Sequence, residues 1–566
     1  MGAVSSAVRI VLLLLVVLPV LSWAQTPPVP SPGAATRVGR GRFTHADTLR
    51  GSTGPYRSNY DVRFYDLSLR VDFDAKSISG SNTVVFSTLR RLDTLQIDLF
   101  ETFDIDSIRG PQGRPASWRR EERVLWVKLA EPLDPDRSKQ RTDSLTIWYH
   151  GQPQQAINPP WDGGFVWRSD PSGLPWLGVA CEGLGASSWW PLKDDLADEP
   201  DSMRMSYRVP QGLMAVGNGQ LRTIVSHEDS TDSFEWFVTY PINSYNVTLN
   251  VADFVHFSDT HVQPNGNPLQ LDYYVLRTNE AKARKQFKQV KPMLACFERA
   301  LGPYPFSEDG YALVETAYYG MEHQGAIAYG AKYQDVPGWG FDYIIIHESG
   351  HEWFGNWLSV ADHADLWIHE GFTTYTEVLY LECVGGPAKA QAWLDGLKEN
   401  IANKVSIVGP RGVNYDDPDA SSDMYYKGAW MLHTLRGVVG DSLFRAWLPA
   451  LLRDLAFKPA RTEDVIAHAN AFFKRDLGYF FAQYLYYPGL PKLELKQEKR
   501  GKNLRLSYRW VADVADFRLP LTLKLTMADG VTRSVQISPT SVWQKLVERA
   551  DRAEVDLSHA YIQLER

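Results

Sequence analysis

Cysteine is scarce in this 566-residue chain, which has three: Cys181, Cys296 and Cys383. None stands in a metal-binding spacing and an odd number cannot all pair internally, so a disulfide-framework fold and a thiolate metal centre are excluded. They read as buried small side chains, with one bridge left open. Cationic excess is also missing. A formal net charge of -8 offers no broad attraction to phosphate backbones, so nucleic acid is excluded as a partner. The short basic stretch RPASWRREER, residues 114–123, reads as a solvated loop. Beyond the first two dozen residues no apolar run is long enough to span a bilayer. Internal repeats are absent, and so is low-complexity sequence outside residues 25–41. What remains is 44% hydrophobic and 22% charged residues, a globular composition long enough for two to four domains.

The N-terminus carries Arg9, the apolar stretch IVLLLLVVLPVL (10–21) and the small-x-small site Ser22, Trp23, Ala24. Residues 1–24 therefore read as a secretory signal peptide, which implies export to a periplasmic or extracellular space and no transmembrane segment in the mature chain. Membrane attachment by an uncleaved segment is left open. Residues 25–56, opening with QTPPVPSPGAATRVGRG, read as a flexible linker rich in Pro, Gly and small residues. From about residue 57 the pattern has period two: Leu67, Leu69, Val71 and Phe73 alternate with polar neighbours, and Leu95, Ile97 and Leu99 repeat the rule. This predicts a half-buried antiparallel β domain over 57–256. Over 257–489 the apolar spacing turns helical, as in 279–301, 342–357 and 427–439, and Pro488-Gly489 ends the last helix. Residues 490–566 return to alternation with an Asp529-Gly530 turn, predicting a small β-sandwich. The fold class is α+β and multidomain.

Within the helical region stands HESGHEWFGNW, residues 347–357. On a helix His347 and His351, four apart, aim their imidazoles at one point, while Glu348 lies beside that point as a proton acceptor. A catalytic zinc takes a third protein ligand. Glu370, in DLWIHEGFTTYTEVLY and separated from His351 by eighteen residues, is placed to return a carboxylate to the metal. Glu377, seven residues further, either supports the site or faces solvent.

The frame HESGHEWFGNW…DLWIHEGF resembles the gluzincin aminopeptidases, the family of aminopeptidase N and leukotriene hydrolase. The likeness runs from YDVRFYDLSLRVDFDAKSISGS to FFAQYLYYPGLPKLEL. It implies one Zn2+ per chain, a saddle-like N-terminal sheet and a thermolysin-like catalytic domain. It also implies residues for a free α-ammonium group, which an internal peptide bond lacks. Glu322, in YYGMEHQG, stands where the family has Gly-Ala-Met-Glu-Asn, and Glu182, in ACEGLGASSWWP, where it has Gln or Glu. The five family positions read Tyr319, Gly320, Met321, Glu322 and His323 here, so the first Gly has become Tyr and the Asn His. The segment is expected to line the substrate backbone like a sheet edge, with Tyr319 reshaping the pocket. Tyr425, in MYYKGAWML, matches the family's Tyr-x-Lys-Gly and is expected to stabilise an oxyanion; Lys427 and Gly428 favour it over Tyr426.

By resemblance, then, the chain is expected to be a zinc aminopeptidase acting on peptides with free N-termini, with Glu348 as general base and acid. A thermolysin-like endopeptidase and a non-catalytic zinc-stabilised binding protein are the competing readings. Many relatives carry a helical C-terminal domain with no counterpart after residue 490, so a more open cleft, or one covered by self-association, is expected.

Overall fold

The alternation of Leu67, Leu69 and Val71 with Asp66, Ser68 and Arg70 produces strand β1 (Tyr60–Asp72), whose apolar positions are buried. β1 is central in a seven-stranded sheet. It runs antiparallel to β2 (Ser77–Thr88), with Leu67 opposite Asn82. On its other side β3 (Ser202–Pro210) runs parallel, with Leu67 opposite Met205. That parallel pair departs from the wholly antiparallel expectation, and the long connection over 89–201 makes it feasible. The computed structural model describes residues 43–135, 142–414 and 422–565, all within one compact unit, Val38–Arg566. The segment 1–24 read as a signal lies outside the described residues.

Two further expectations are corrected. Residues 45–51, assigned to a linker, form helix α1 (His45–Gly51), which starts at a capping box between Thr44 and Asp47. The backbone N–H of Asn414 donates to the Asp47 carbonyl at 3.0 Å and Arg50 donates to the Leu184 carbonyl at 2.6 Å, so α1 is tied both to the N-terminal β region and to the helical region. The basic stretch read as a loop includes a strand, Ser117–Glu121, paired with Val124–Leu133. The strand Leu92–Asp98 also breaks simple alternation. Gln96 and Asp98 are buried beside Leu95 and Ile97, because Gln96 donates to the Leu49 carbonyl and Asp98 pairs with the buried Arg57 at 2.6 Å.

The boundary drawn at 256 falls inside a strand. β4 (Phe254–Val262) pairs with β5 (Pro268–Leu276), which opens a five-stranded sheet continued by β6 (Tyr311–Glu315), β7 (Gly320–Met321) and β8 (Ile327–Tyr329). The spatial order is β4-β5-β6-β8-β7, so Gly320–Met321 is an edge strand. The helices of the site are α2 (Val290–Leu301), α3 (Tyr343–Gly350), α4 (Trp367–Gly385) and α5 (Asp423–Val439); α3 packs against β7 and β8, and α4 packs against α2, α3 and α5. Cys296 in α2 and Cys383 in α4 form a disulfide, while Cys181 is buried and free.

The C-terminal region holds a four-stranded sheet, including Lys492–Arg500 and Asn503–Val511, and a three-stranded sheet around Leu521–Thr526. It is tied to the helices by Tyr484, whose hydroxyl donates to the Tyr561 carbonyl at 2.8 Å. Among the described residues no helix is long and apolar enough to cross a membrane.

Candidate active site

Helix α3 begins at Asp342, whose carboxylate accepts from the Ile344 N–H at 3.1 Å. It ends one residue before His351, short of the expected reach to 357, because Gly355 adopts φ +130° and turns the chain. His351, at the C-cap, still has helical backbone angles, so His347 and His351 keep their shared face. Their Nε2 atoms are 3.3 Å apart, and Glu370 Oε2, from the first turn of α4, lies 3.5 Å from each.

This near-equilateral triangle suits a metal. Zinc binds N and O donors at about 2.0–2.2 Å, which sets neighbouring donors of a tetrahedral ion about 3.3–3.5 Å apart. Glu370 Oε2 is buried and, among the described residues, has no hydrogen-bond partner, the condition of a ligand atom reserved for an ion. The Nδ1 atoms are occupied elsewhere. Nδ1 of His347 lies 2.8 Å from Glu377 Oε1, and Nδ1 of His351 lies 3.0 Å from the Phe354 carbonyl, so each ring presents Nε2 to the metal. Glu377, which the sequence left between support and solvent, thus orients a ligand; the Trp393 indole N–H holds its other oxygen at 2.8 Å.

Glu348 sits on the same helix, next to the edge strand. A Cβ built on Gly320 would lie 2.4 Å from Glu348 Oε1, so only glycine leaves that carboxylate its place. Burial pushes the Glu348 carboxyl up to about 7, against the opposing pull of His347 and His351. Glu322 follows the edge strand, buried, with carboxylate and imidazole atoms of Glu322, Glu348 and His351 all within 4.8 Å of one another. Glu182, in the loop after strand Pro175–Ala180, joins Glu322 and His369 in a second such group. Burial and the neighbouring Glu322 both raise the Glu182 carboxyl above the usual range, so this corner of the site favours an incoming cation.

Tyr425 reaches the site because α4 and α5 cross closely at two glycines. A Cβ on Gly428 would meet the Gly371 Cα at 3.0 Å. The Tyr425 ring lies 6.2 Å from that of His347 at an interplanar angle of 24°, and burial keeps its phenol protonated and able to donate. The register expected from Lys427 has a physical anchor: its ammonium donates to the carbonyls of Tyr487 and Pro488 at 3.0 and 2.9 Å. Tyr319 is 45% exposed and stacks on Tyr343 at 6.4 Å. Glu182, Tyr319 to Glu322, His347, Glu348, His351, Glu370 and Tyr425 all line one cleft of about 820 Å³.

Several positioning residues escaped the sequence reading. Asn356 donates to the Glu322 carbonyl at 2.9 Å and accepts from Asn246 at 2.8 Å, tying the zinc-site backbone to the strand edge. Glu352 accepts from the Gly325 N–H at 2.9 Å, and Tyr245 donates to Glu322 Oε1 at 3.1 Å. The polar Asn in FGNW, set among aromatic residues, was the available signal. His323 is fully buried, and among the described residues neither ring nitrogen has a hydrogen-bond partner. Burial lowers its pKa to about 3, so it is neutral.

Comparison with known proteins agrees with this geometry. Residues 302–484 match the model of the peptidase family M1 domain. Leucine aminopeptidase 2 of Lodderomyces elongisporus is 23% identical over 78% of this chain and 72% of its own length. Aminopeptidase B of Homo sapiens is 25% identical over 55% of this chain and 50% of its own, and a probable aminopeptidase 1 of Sulfurisphaera tokodaii is 22% identical over 58% and 44%. The chain thus spans about half the length of several curated relatives it matches. Among solved structures, an M1 zinc metallopeptidase of Deinococcus radiodurans, bound to a Tyr-Ser-Ala substrate, superposes with a TM-score of 0.65 at 22% identity, covering 78% of this chain and 98% of that one. Its fold is shared. One Zn2+ is the cofactor that the family and the His347, His351, Glu370 triangle call for. Over its zinc helices the chain thus matches the peptidase family M1 domain, and it is similar along its length to aminopeptidases and shares the fold of M1 zinc metallopeptidases.

Proposed function

We propose that the chain is a zinc-dependent aminopeptidase that removes single residues from the free N-termini of peptides. One observation carries this reading: Glu322 has a carboxylate oxygen within 4.8 Å of the Glu182 carboxylate, and one within 4.8 Å of ligand atoms of Glu348 and His351. Two acids that hold an ammonium group thus adjoin the acid that works on the scissile bond. Amine and cut can be separated by one residue only.

A bound zinc ion supplies Lewis-acid polarisation and a water of lowered pKa. His347, His351 and Glu370 hold it, and Glu377 fixes the His347 ring. Glu348 takes a proton from the attacking water and passes it to the leaving amine, a task suited to a carboxyl whose pKa burial has raised toward neutrality. The Tyr425 hydroxyl donates to the developing oxyanion. Glu182 and Glu322 bind the substrate ammonium, with Tyr245 and Asn356 holding Glu322 in place. The substrate backbone pairs along the edge strand β7, as a peptide adds to an exposed sheet edge.

The test is a pair of peptides, one free and one acetylated at its N-terminus. The free peptide is trimmed from its end and the acetylated one is not; equal cleavage of both would establish an endopeptidase. A zinc-loaded protein that cuts neither would be a binding module.

The exported location is likewise proposed. The Cys296–Cys383 disulfide supports it, since such bonds persist in oxidising compartments. N-terminal sequencing of the mature protein is expected to begin near Gln25.

A further inference from the structure

The cleft wall contributed by the N-terminal part of the chain is short: Pro160, Trp161, Glu182 and Gly183. Two of these residues belong to the amine-binding loop. The other two belong to a turn whose exposed side chains no part of the fold explains. Trp161 is 70% exposed and Ile157 92%. An indole left in water forgoes a large apolar burial, and one that lines the cleft offers its ring to whatever occupies that cleft.

The turn is built rather than loose. Asp162 Oδ2 accepts from the backbone N–H groups of Ile157 and Asn158 at 2.6 and 2.7 Å, and the Gly163 N–H donates to the Pro160 carbonyl at 3.0 Å. Pro159 and Pro160 restrict the backbone between these bonds. Oδ2 of Asp162 is thereby committed to the turn, which carries Trp161 at the cleft. The turn also abuts the amine-binding loop: a Cβ on Gly163 would lie 2.6 Å from the Leu184 Cβ, two residues after Glu182.

That placement selects one part of a substrate. The first residue's side chain leaves its backbone two bonds from the ammonium nitrogen, so it emerges beside the Glu182 loop. Residues beyond the cut go elsewhere. A peptide whose amine is at Glu322 and which lies along β7 runs past Met321 and Gly320 toward Tyr319, about 3.3 Å per residue. Tyr319 therefore meets the downstream residues, and Trp161 the first.

We propose that Trp161 forms the wall against which the side chain of the substrate's N-terminal residue packs, selecting apolar and above all aromatic residues. The inference rests on the aminopeptidase reading above. Aromatic rings gain both area burial and edge or offset stacking on an indole.

Aminoacyl-coumarin amides of Ala, Leu, Phe and Arg, together with an Ala-X dipeptide series, test it on the zinc-loaded protein. In wild type kcat/KM is expected to rise from Ala to Leu to Phe. Trp161→Ala is expected to lower the Phe-to-Ala ratio of kcat/KM by at least about tenfold, the discrimination a hydrophobic contact affords, and Trp161→Phe to restore most of it. A ratio unchanged in Trp161→Ala, a selective loss confined to Arg, or a selective loss in the Ala-X series would overturn the proposal while leaving the aminopeptidase reading intact. Failure of wild-type protein to cleave any of the amides would overturn both.

Discussion

Glu377 Oε1 lies 2.8 Å from Nδ1 of His347, and the indole N–H of Trp393 holds its other oxygen at 2.8 Å. The carboxylate is thus fixed from one side and fixes the ligand on the other. Glu377→Ala is expected to weaken zinc affinity by about 10- to 100-fold, the usual cost of losing such a partner. Competition with a chromophoric chelator measures it, and affinity equal to wild type would remove Glu377 from the site's design.

Glu348→Gln keeps the shape of the side chain and removes its proton chemistry. Turnover is expected to fall by about 10²- to 10⁴-fold or more, with one equivalent of zinc retained by elemental analysis. Glu322→Ala should instead act chiefly on KM for substrates with free amines. Equal effects of the two variants on kcat would contradict the division of roles.

Gly320→Ala places a methyl group 2.4 Å from Glu348 Oε1 and 2.7 Å from Ile344 Cδ1. Either the edge strand or the carboxylate must shift. Displacement of a catalytic group by about 1 Å costs about 10²-fold in rate, so kcat is expected to drop on that scale while circular dichroism and zinc content stay as in wild type.

The Cys296–Cys383 bond closes a loop with a sequence separation of 87, joining α2 to the helix that carries Glu370. In the chain-entropy account a loop of that length contributes about 4 to 5 kcal/mol. Cys296→Ser/Cys383→Ser protein is expected to unfold at a distinctly lower urea midpoint, and reductant to bring wild type toward the same value.

Glu199 accepts a hydrogen bond from Ser359 at 2.5 Å, and burial raises its carboxyl from 4.5 to about 7. Between those values the unfolded chain has released the proton that the folded chain retains. This residue's contribution to stability is therefore full below about 4.5 and lost as pH rises to about 7. Urea titrations at pH 5 and pH 8 are expected to show a smaller decline for Glu199→Gln than for wild type. Parallel profiles would refute the assignment.

The zinc triangle was legible because its spacing is local: His347 and His351 share a face, and the eighteen residues before Glu370 suffice to turn the chain. The strands at 60–72 and 503–511 were legible from alternation alone. Other features depend on contacts distant in sequence. Helix α1 resembles linker in composition, yet its capping box and its bonds to Leu184 and Asn414 order it. The parallel pairing of β1 with β3 is a topological choice that no local pattern encodes. The disulfide partner of Cys296 could not be chosen from three cysteines before the packing of α2 on α4 was known. Asn356 looked like any polar residue in a loop until its partner, the Glu322 carbonyl, came into view.

That last tie has a kinetic corollary. Asn356 and Tyr245 hold Glu322 by hydrogen bonds that do not involve a substrate, so under the proposed function its grip on an ammonium group would be the same before and after hydrolysis. A liberated amino acid would keep its ammonium and gain a carboxylate. Under the proposed function, product retention rather than bond cleavage would brake successive rounds, and free amino acids that fit the cleft would act as competitive inhibitors.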